Sequence, residues 1–136
     1  MVEKIEGVAA VIRNSETGSY LICKRSEDKD MYPSCWEFPG GGLEDEKPEE
    51  GVRRELEEEL DLRPEIVRAA GAVEYESDHG IHKTYVFLAE TSKTEFDLSK
   101  EHKDYRWIKL SQLDRFEGHP GNKAYIEALD LEREIE

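Results

Sequence analysis

Positive charge is scarce in this chain: 19 Lys and Arg stand against 33 Asp and Glu in 136 residues, a net charge of −14. That balance excludes a protein that binds nucleic acid by generic attraction to phosphates. Cysteine is nearly missing. Cys23 and Cys35 stand alone, with no CxxC pair and no spacing suited to zinc. The chain opens on MVEKIEG without an apolar segment, so a reducing, cytoplasmic compartment is expected and no membrane partner. Ser, Cys and His form no recognisable nucleophilic set. His79, His82, His102 and His119 have no catalytic spacing, and most of them are expected on the surface or in loops. With no internal repeat, low-complexity tract or linker, residues 1–136 read as a single domain of a length that buries about two thirds of its unfolded surface.

What the chain has in excess is carboxylate. A solvated acidic surface accounts for most of it, and only the clustered residues need another explanation. If the ligand is a polyanion, its repulsion must be offset, and divalent cations do this while preferring hard oxygen donors. The densest run extends from Gly40 to Leu62, where Gly40, Glu46, Arg54, Glu55, Glu58 and Glu59 follow a glycine-rich loop into a charged segment.

The periodicities change along the chain in an order that predicts a mixed fold. Ile5–Arg13 and Ser19–Arg25 are apolar runs of strand length joined by NSETG, a hairpin. A charged loop covers Ser26–Ser34, Trp36–Phe38 is short and aromatic, and Pro39 with three glycines is expected to end regular structure. Pro48 suits the first turn of a helix that runs to about Leu60 and stops before Pro64. Ile66–Ser77 and Ile81–Glu90 flank Asp78-His79-Gly80 as a second hairpin. Tyr105–Leu110 reads as a strand and Asn122–Ile135 as a closing helix. This order favours a sheet with packed helices over a bundle or a β-sandwich.

Helix geometry sorts the acidic run. At about 100° per residue, Val52, Leu56 and Leu60 make the buried stripe, and Glu55, Glu58 and Glu59 fill the sector beside it. Glu57 points away with Arg53 and is expected in solvent. Three adjacent carboxylates raise one another's pKa values unless a cation intervenes. Arg54, four residues before Glu58, can pair with it.

Gly40, Glu46, the hexamer Arg54-Glu55-Leu56-Glu57-Glu58-Glu59 and Leu62 together resemble the Nudix box of nucleoside diphosphate-linked pyrophosphohydrolases. The resemblance extends to Lys24-Arg25 at a strand end, Glu37-Phe38-Pro39-Gly40 before the box, Glu101 ahead of Trp107, and Asn122, Ile126 and Leu129 near the end. Within the family it is most similar to MutT-type members. Two departures stand out: Asp61 replaces the usual glycine after the box glutamates, and the loop before Glu46 is one residue shorter.

The resemblance implies an α/β/α sandwich of Nudix type, an α+β fold with a mixed sheet between helices. It implies hydrolysis of a nucleoside triphosphate, oxidised or non-standard ones included, to a monophosphate and pyrophosphate, with Mg²⁺ or Mn²⁺. The metal ligands it implies are Glu55, Glu58 and Glu59, with the Gly40 carbonyl and Glu101 as further ligands or partners of the ligands; the base is Glu55 or Glu58, and Glu46 supports the loop or the groups around the ligands. Substrate contacts fall to Lys24, Arg25, Glu37, Phe38, Pro39, Gly40 and Asn122. Asn122 has a competing role as the cap of the last helix, and Phe38, Tyr75 and Trp36 are candidates for an apolar wall against a base. The alternatives are another diphosphate-linked compound (a dinucleoside polyphosphate, a nucleotide sugar or an RNA 5′-triphosphate) or a non-catalytic nucleotide-binding regulator. The partner expected is a small-molecule nucleotide; oligomeric state is not encoded in these motifs.

Overall fold

The computed structural model describes residues 4–135. The first hairpin is β1 (Lys4–Asn14) and β2 (Tyr20–Arg25), which meet at Arg13 and Tyr20. Asn14 builds the turn, its Oδ1 accepting the backbone N–H groups of Glu16 and Thr17 at 2.9 and 3.0 Å. Beyond that point β1 and β2 diverge, and the chain from Trp36 to Gly42 fills the gap. β3 (Trp36–Glu37) pairs with β2, and β4 (Gly40–Gly42) pairs with β1. The glycine run therefore does not end regular structure as expected. Backbone pairing with Gly7, Val8 and Ala9 of β1 holds it as a strand despite the weak strand preference of glycine.

Helix α1 (Pro48–Leu60) forms as the sequence predicts, with Pro48 in its first turn and Glu49 and Glu50 near its positive end. The Glu50 carboxylate accepts the Lys47 N–H at 3.3 Å. The helix ends on Asp61 in the left-handed conformation (φ 49°, ψ 43°), whose N–H bonds back to the Glu57 carbonyl at 3.0 Å. β5 (Glu65–Ser77) and β6 (Gly80–Thr91) are the second hairpin, closed by the Ser77 and Gly80 pair. β7 (His102–Ile108) begins earlier than the expected Tyr105 because its pairing with β2 reaches Arg25 and His102.

The last helix, α2 (Asn122–Ala128), is shorter than the expected Asn122–Ile135. Leu129 and Leu131 are both buried, and residues two apart on a helix face nearly opposite ways. Breaking the helix, with Asp130 at φ 57°, lets both leucines reach the core before the 3₁₀ turn at Glu132–Glu134.

The sheet is mixed. β1 runs parallel to β6 along its whole length, from Lys4 and Ile81 to Asn14 and Thr91, and the other pairings are antiparallel. Side chains alternate across it. Val8, Ala10, Ile12, Leu21, Phe87 and Ala89 pack with Val52, Leu56 and Leu60 of α1. Ala9, Val11, Ile22, Val86 and Leu88 face Tyr125 and Ile126 of α2 on the other side. This is the helix, sheet, helix arrangement anticipated from the sequence, and no helix among the described residues is long and apolar enough to cross a membrane.

Candidate active site

A cleft of about 550 Å³ opens where β1 and β2 part, between β4, α1 and the loop before β7. At one end α1 presents its acidic sector. Glu59 is buried, Glu55 is half-buried, and Glu58 reaches solvent. Arg54 ties this sector to the loop ahead of it. Its Nε and Nη2 bond the Glu46 carboxylate at 3.1 and 2.6 Å, and its Nη1 reaches Glu55 at 2.9 Å and Glu58 at 3.3 Å. Its Nη2 also donates to the Gly42 carbonyl at 3.1 Å, fixing the end of β4. Glu57 lies outside the cleft, exposed and paired with Arg63 at 2.7 Å, as its position on the helix predicts.

Glycine matters here by close approach. A Cβ on Gly41 would sit 2.5 Å from the Glu55 carboxylate, so β4 offers bare backbone for that carboxylate to lie on. Burial raises the Glu55 pKa, against the pull of Arg54. Burial also raises that of Glu59 well above the usual range, and the charges of Glu37 and Glu55 add to it.

Behind the carboxylates lies a second polar layer. The buried Glu37 carboxylate accepts Arg25 Nη1 at 3.0 Å and lies 2.9 Å from His102 Nε2. Although burial opposes it, these partners hold the Glu37 pKa below the ordinary carboxylate value. Arg25 also donates to the Met31 carbonyl at 3.0 Å and lines the cleft. Lys24 does not line it; its ammonium rests over the Trp36 ring at 5.9 Å. Glu101 lines the cleft and forms an ion pair with Lys29 from the loop after β2.

As they stand, no three His, Cys, Asp or Glu groups among the described residues converge on a single metal position. Arg54 draws Glu55 and Glu58 toward itself, and Lys29 occupies Glu101. The donors nevertheless suit a hard divalent cation. They are oxygens throughout, and one of them, Glu59 Oε2, is buried without a hydrogen-bond partner.

The far end of the cleft is aromatic. Phe38 and Tyr75 line it as expected, but Trp36 turns to the core beside Phe116, 5.2 Å between centroids. Pro39 contributes through its carbonyl, which accepts the Ala10 N–H at 2.8 Å within the sheet. The histidines depart most from expectation. His82 and His102 are buried, and with His119 they line the cleft; only His79 is exposed. Asn122 does not cap α2, since Gly121 holds that position. Its side chain is buried, its Nδ2 donates to the Trp36 carbonyl at 3.0 Å, and its Oδ1 lacks a partner. Lys29, Tyr32, His102 and Tyr125 are cleft residues with no signal in the sequence, because strand pairing and loop closure bring them in from far along the chain.

A family model described as the NUDIX domain matches residues 3–129. The chain belongs to the NUDIX family. A Nucleoside triphosphatase NudI of Salmonella newport is 30% identical over 118 residues, covering 78% of this chain and 82% of the relative. The crystal structure of a MutT protein from Methanosarcina mazei Go1 aligns at TM-score 0.83 with 33% identity, over 98% of this chain and 99% of that one. The NUDIX domain of Shewanella oneidensis NrtR, solved with ADP ribose, shares the fold at TM-score 0.81 and 21% identity, over 98% and 90% of the two chains.

In this NUDIX domain both departures from the usual box have a structural reading. Asp61 takes the left-handed conformation that a glycine would, and the loop ahead of Glu46 is fastened by Arg54 instead of by length. The box glutamates therefore arrive at the cleft on a regular helix.

Proposed function

We propose that this Nudix hydrolase cleaves a nucleoside triphosphate to a monophosphate and pyrophosphate, using a divalent cation, Mg²⁺ or Mn²⁺. The observation that supports it best is Glu59, a buried carboxylate with an unpartnered oxygen, beside Glu55 at the mouth of a cleft that also holds a guanidinium. Glu55, Glu58, Glu59, Glu101 and the Gly40 carbonyl would hold the cation. When bound, it would neutralise phosphate charge and lower the pKa of an attacking water.

The chain's own residues do the rest. Arg25, oriented by Glu37 and the Met31 carbonyl, presents its guanidinium to a phosphate oxygen. Glu55 is favoured over Glu58 as the group that takes the water's proton, because burial raises its basicity and the Gly41 backbone and Arg54 fix its place. Glu58 is exposed and, among the described residues, held only by Arg54. Glu46 acts through Arg54. The nucleoside would extend along β1 toward the aromatic end.

The test is pyrophosphate release from a panel of nucleoside triphosphates with Mg²⁺. The reading expects turnover that chelation abolishes and Mg²⁺ restores. A folded protein that turns over no member of the panel would refute it.

A further inference from the structure

The neutral imidazole at position 119 stands where the cleft turns aromatic. The backbone N–H of Gly121 donates to His119 Nδ1 at 3.0 Å, so Nδ1 carries no proton and the single N–H of the ring is at Nε2. Nε2 has no hydrogen-bond partner among the described residues and is not sealed from solvent, while the ring lines the cleft. Its neighbours clamp the ring. Tyr32 meets it edge-on at 4.9 Å and Tyr75 at 5.8 Å. Tyr75 is itself held by a flat stack on His82, 4.7 Å away with 5° between the planes.

The supports are built in the backbone. Tyr32 and Ser34 adopt left-handed conformations, φ 49° and 63°, which side chains seldom take, and the loop thereby carries the Tyr32 ring to His119. Gly121 must lack a side chain, because a Cβ there would lie 2.6 Å from the Tyr125 hydroxyl and 3.1 Å from the Tyr75 ring. Burial keeps the ring neutral, lowering the His119 pKa to about 4. The Nε2 donor is thus fixed in direction and in protonation.

We propose that His119 is a specificity-determining residue, whose Nε2–H reads the oxygen at purine C6 or pyrimidine C4 and so favours bases with an oxo group there over those with an amino group. This rests on the nucleoside triphosphate reading given above. Guanine offers the contiguous acceptors O6 and N7, and uracil and thymine offer O4. Adenine and cytosine place an amino donor at the same position, which would leave two donors face to face.

The experiment compares GTP and UTP with ATP and CTP, together with an abasic ribose 5′-triphosphate. Selectivity is read as kcat/KM and, separately, as Kd by calorimetry with the α,β-methylene analogues of GTP and ATP. The expected result is at least a tenfold preference for the oxo bases, collapsing to near unity in His119→Phe and largely kept in His119→Gln, whose amide can replace the Nε2 donor. An equal or reversed preference in the wild type would overturn the proposal, whether or not the Phe variant folds, and so would a preference that survives in a folded His119→Phe. Failure to turn over any triphosphate, the abasic one included, would instead refute the hydrolase reading, and the binding ratio would still decide the role of His119.

Discussion

Arg54 and Glu46 share a two-pronged bond, Nε at 3.1 Å and Nη2 at 2.6 Å, that joins the loop after β4 to the middle of α1. The same guanidinium reaches Glu55 and Glu58, so one side chain sets the positions of three carboxylates. Arg54→Lys cannot reproduce the fork. It should lower kcat/KM about a hundredfold through misplacement of Glu55, with the far-ultraviolet circular dichroism unchanged. Steady-state kinetics on the most active triphosphate checks this.

Gly41→Ala places a methyl group where the Glu55 carboxylate now lies, 2.5 Å from its carbon. The carboxylate is the far end of a flexible chain and can move aside, so the fold should tolerate the change. Activity should drop more than tenfold, while the urea midpoint stays near that of the wild type.

Glu59→Gln should separate stability from catalysis. Neutralising a buried carboxylate with an unsatisfied oxygen relieves the metal-free protein, so its melting temperature should rise in EDTA. The increase that Mg²⁺ brings to the wild type should shrink, and kcat should fall by about two to three orders of magnitude. Thermal melts with and without Mg²⁺ read the first two effects.

His119 predicts a pH slope. Burial lowers its pKa from 6.5 to about 4 in the folded chain, in surroundings that include Tyr32, Tyr75, His82, Arg25 and Glu37. Between those values the unfolded chain binds more protons, so stability rises with pH. The contribution is complete above 6.5 and is lost as pH falls toward 4, at up to about 1.4 kcal/mol per pH unit. His119→Gln should flatten this part of the slope in urea titrations across the window.

Leu56 is fully buried where α1 meets the sheet, among Val52, Leu60 and Ile12. Leu56→Ala should cost about 2–5 kcal/mol, measured by urea denaturation. Activity per folded molecule should fall less than in the Arg54 variant.

The strands and helices were legible where a periodicity ran long. Val52, Leu56 and Leu60 marked the buried face of α1, and the same geometry set Glu57 apart from Glu55, Glu58 and Glu59. Local preference misled where pairing or packing prevailed, as in the glycine strand β4 and in α2, which breaks so that Leu129 and Leu131 can both be buried. The acidic end of the cleft could be read because a single helix carries it. Of the aromatic end only Phe38 and Tyr75 could be read, since Tyr32, His82, His119 and Tyr125 come from separate segments whose meeting depends on the register of β5 and β6 and on a strained loop. Two of the four histidines, His82 and His102, were misplaced for the same reason, since both are buried on strands.

Asp61 stands at φ 49° and ψ 43° where the family's pattern has glycine. What that position demands is a torsion angle and not a chemistry. Asparagine and glycine should serve there, while valine or isoleucine, with branched side chains that resist the left-handed region, should fray the last turn of α1. Glu59 lies in that turn, so the alignment of the box glutamates depends on a residue that does not line the cleft. Family members need agree at this place only in shape, and a search that demands the letter G would pass over chains that keep the shape by other means.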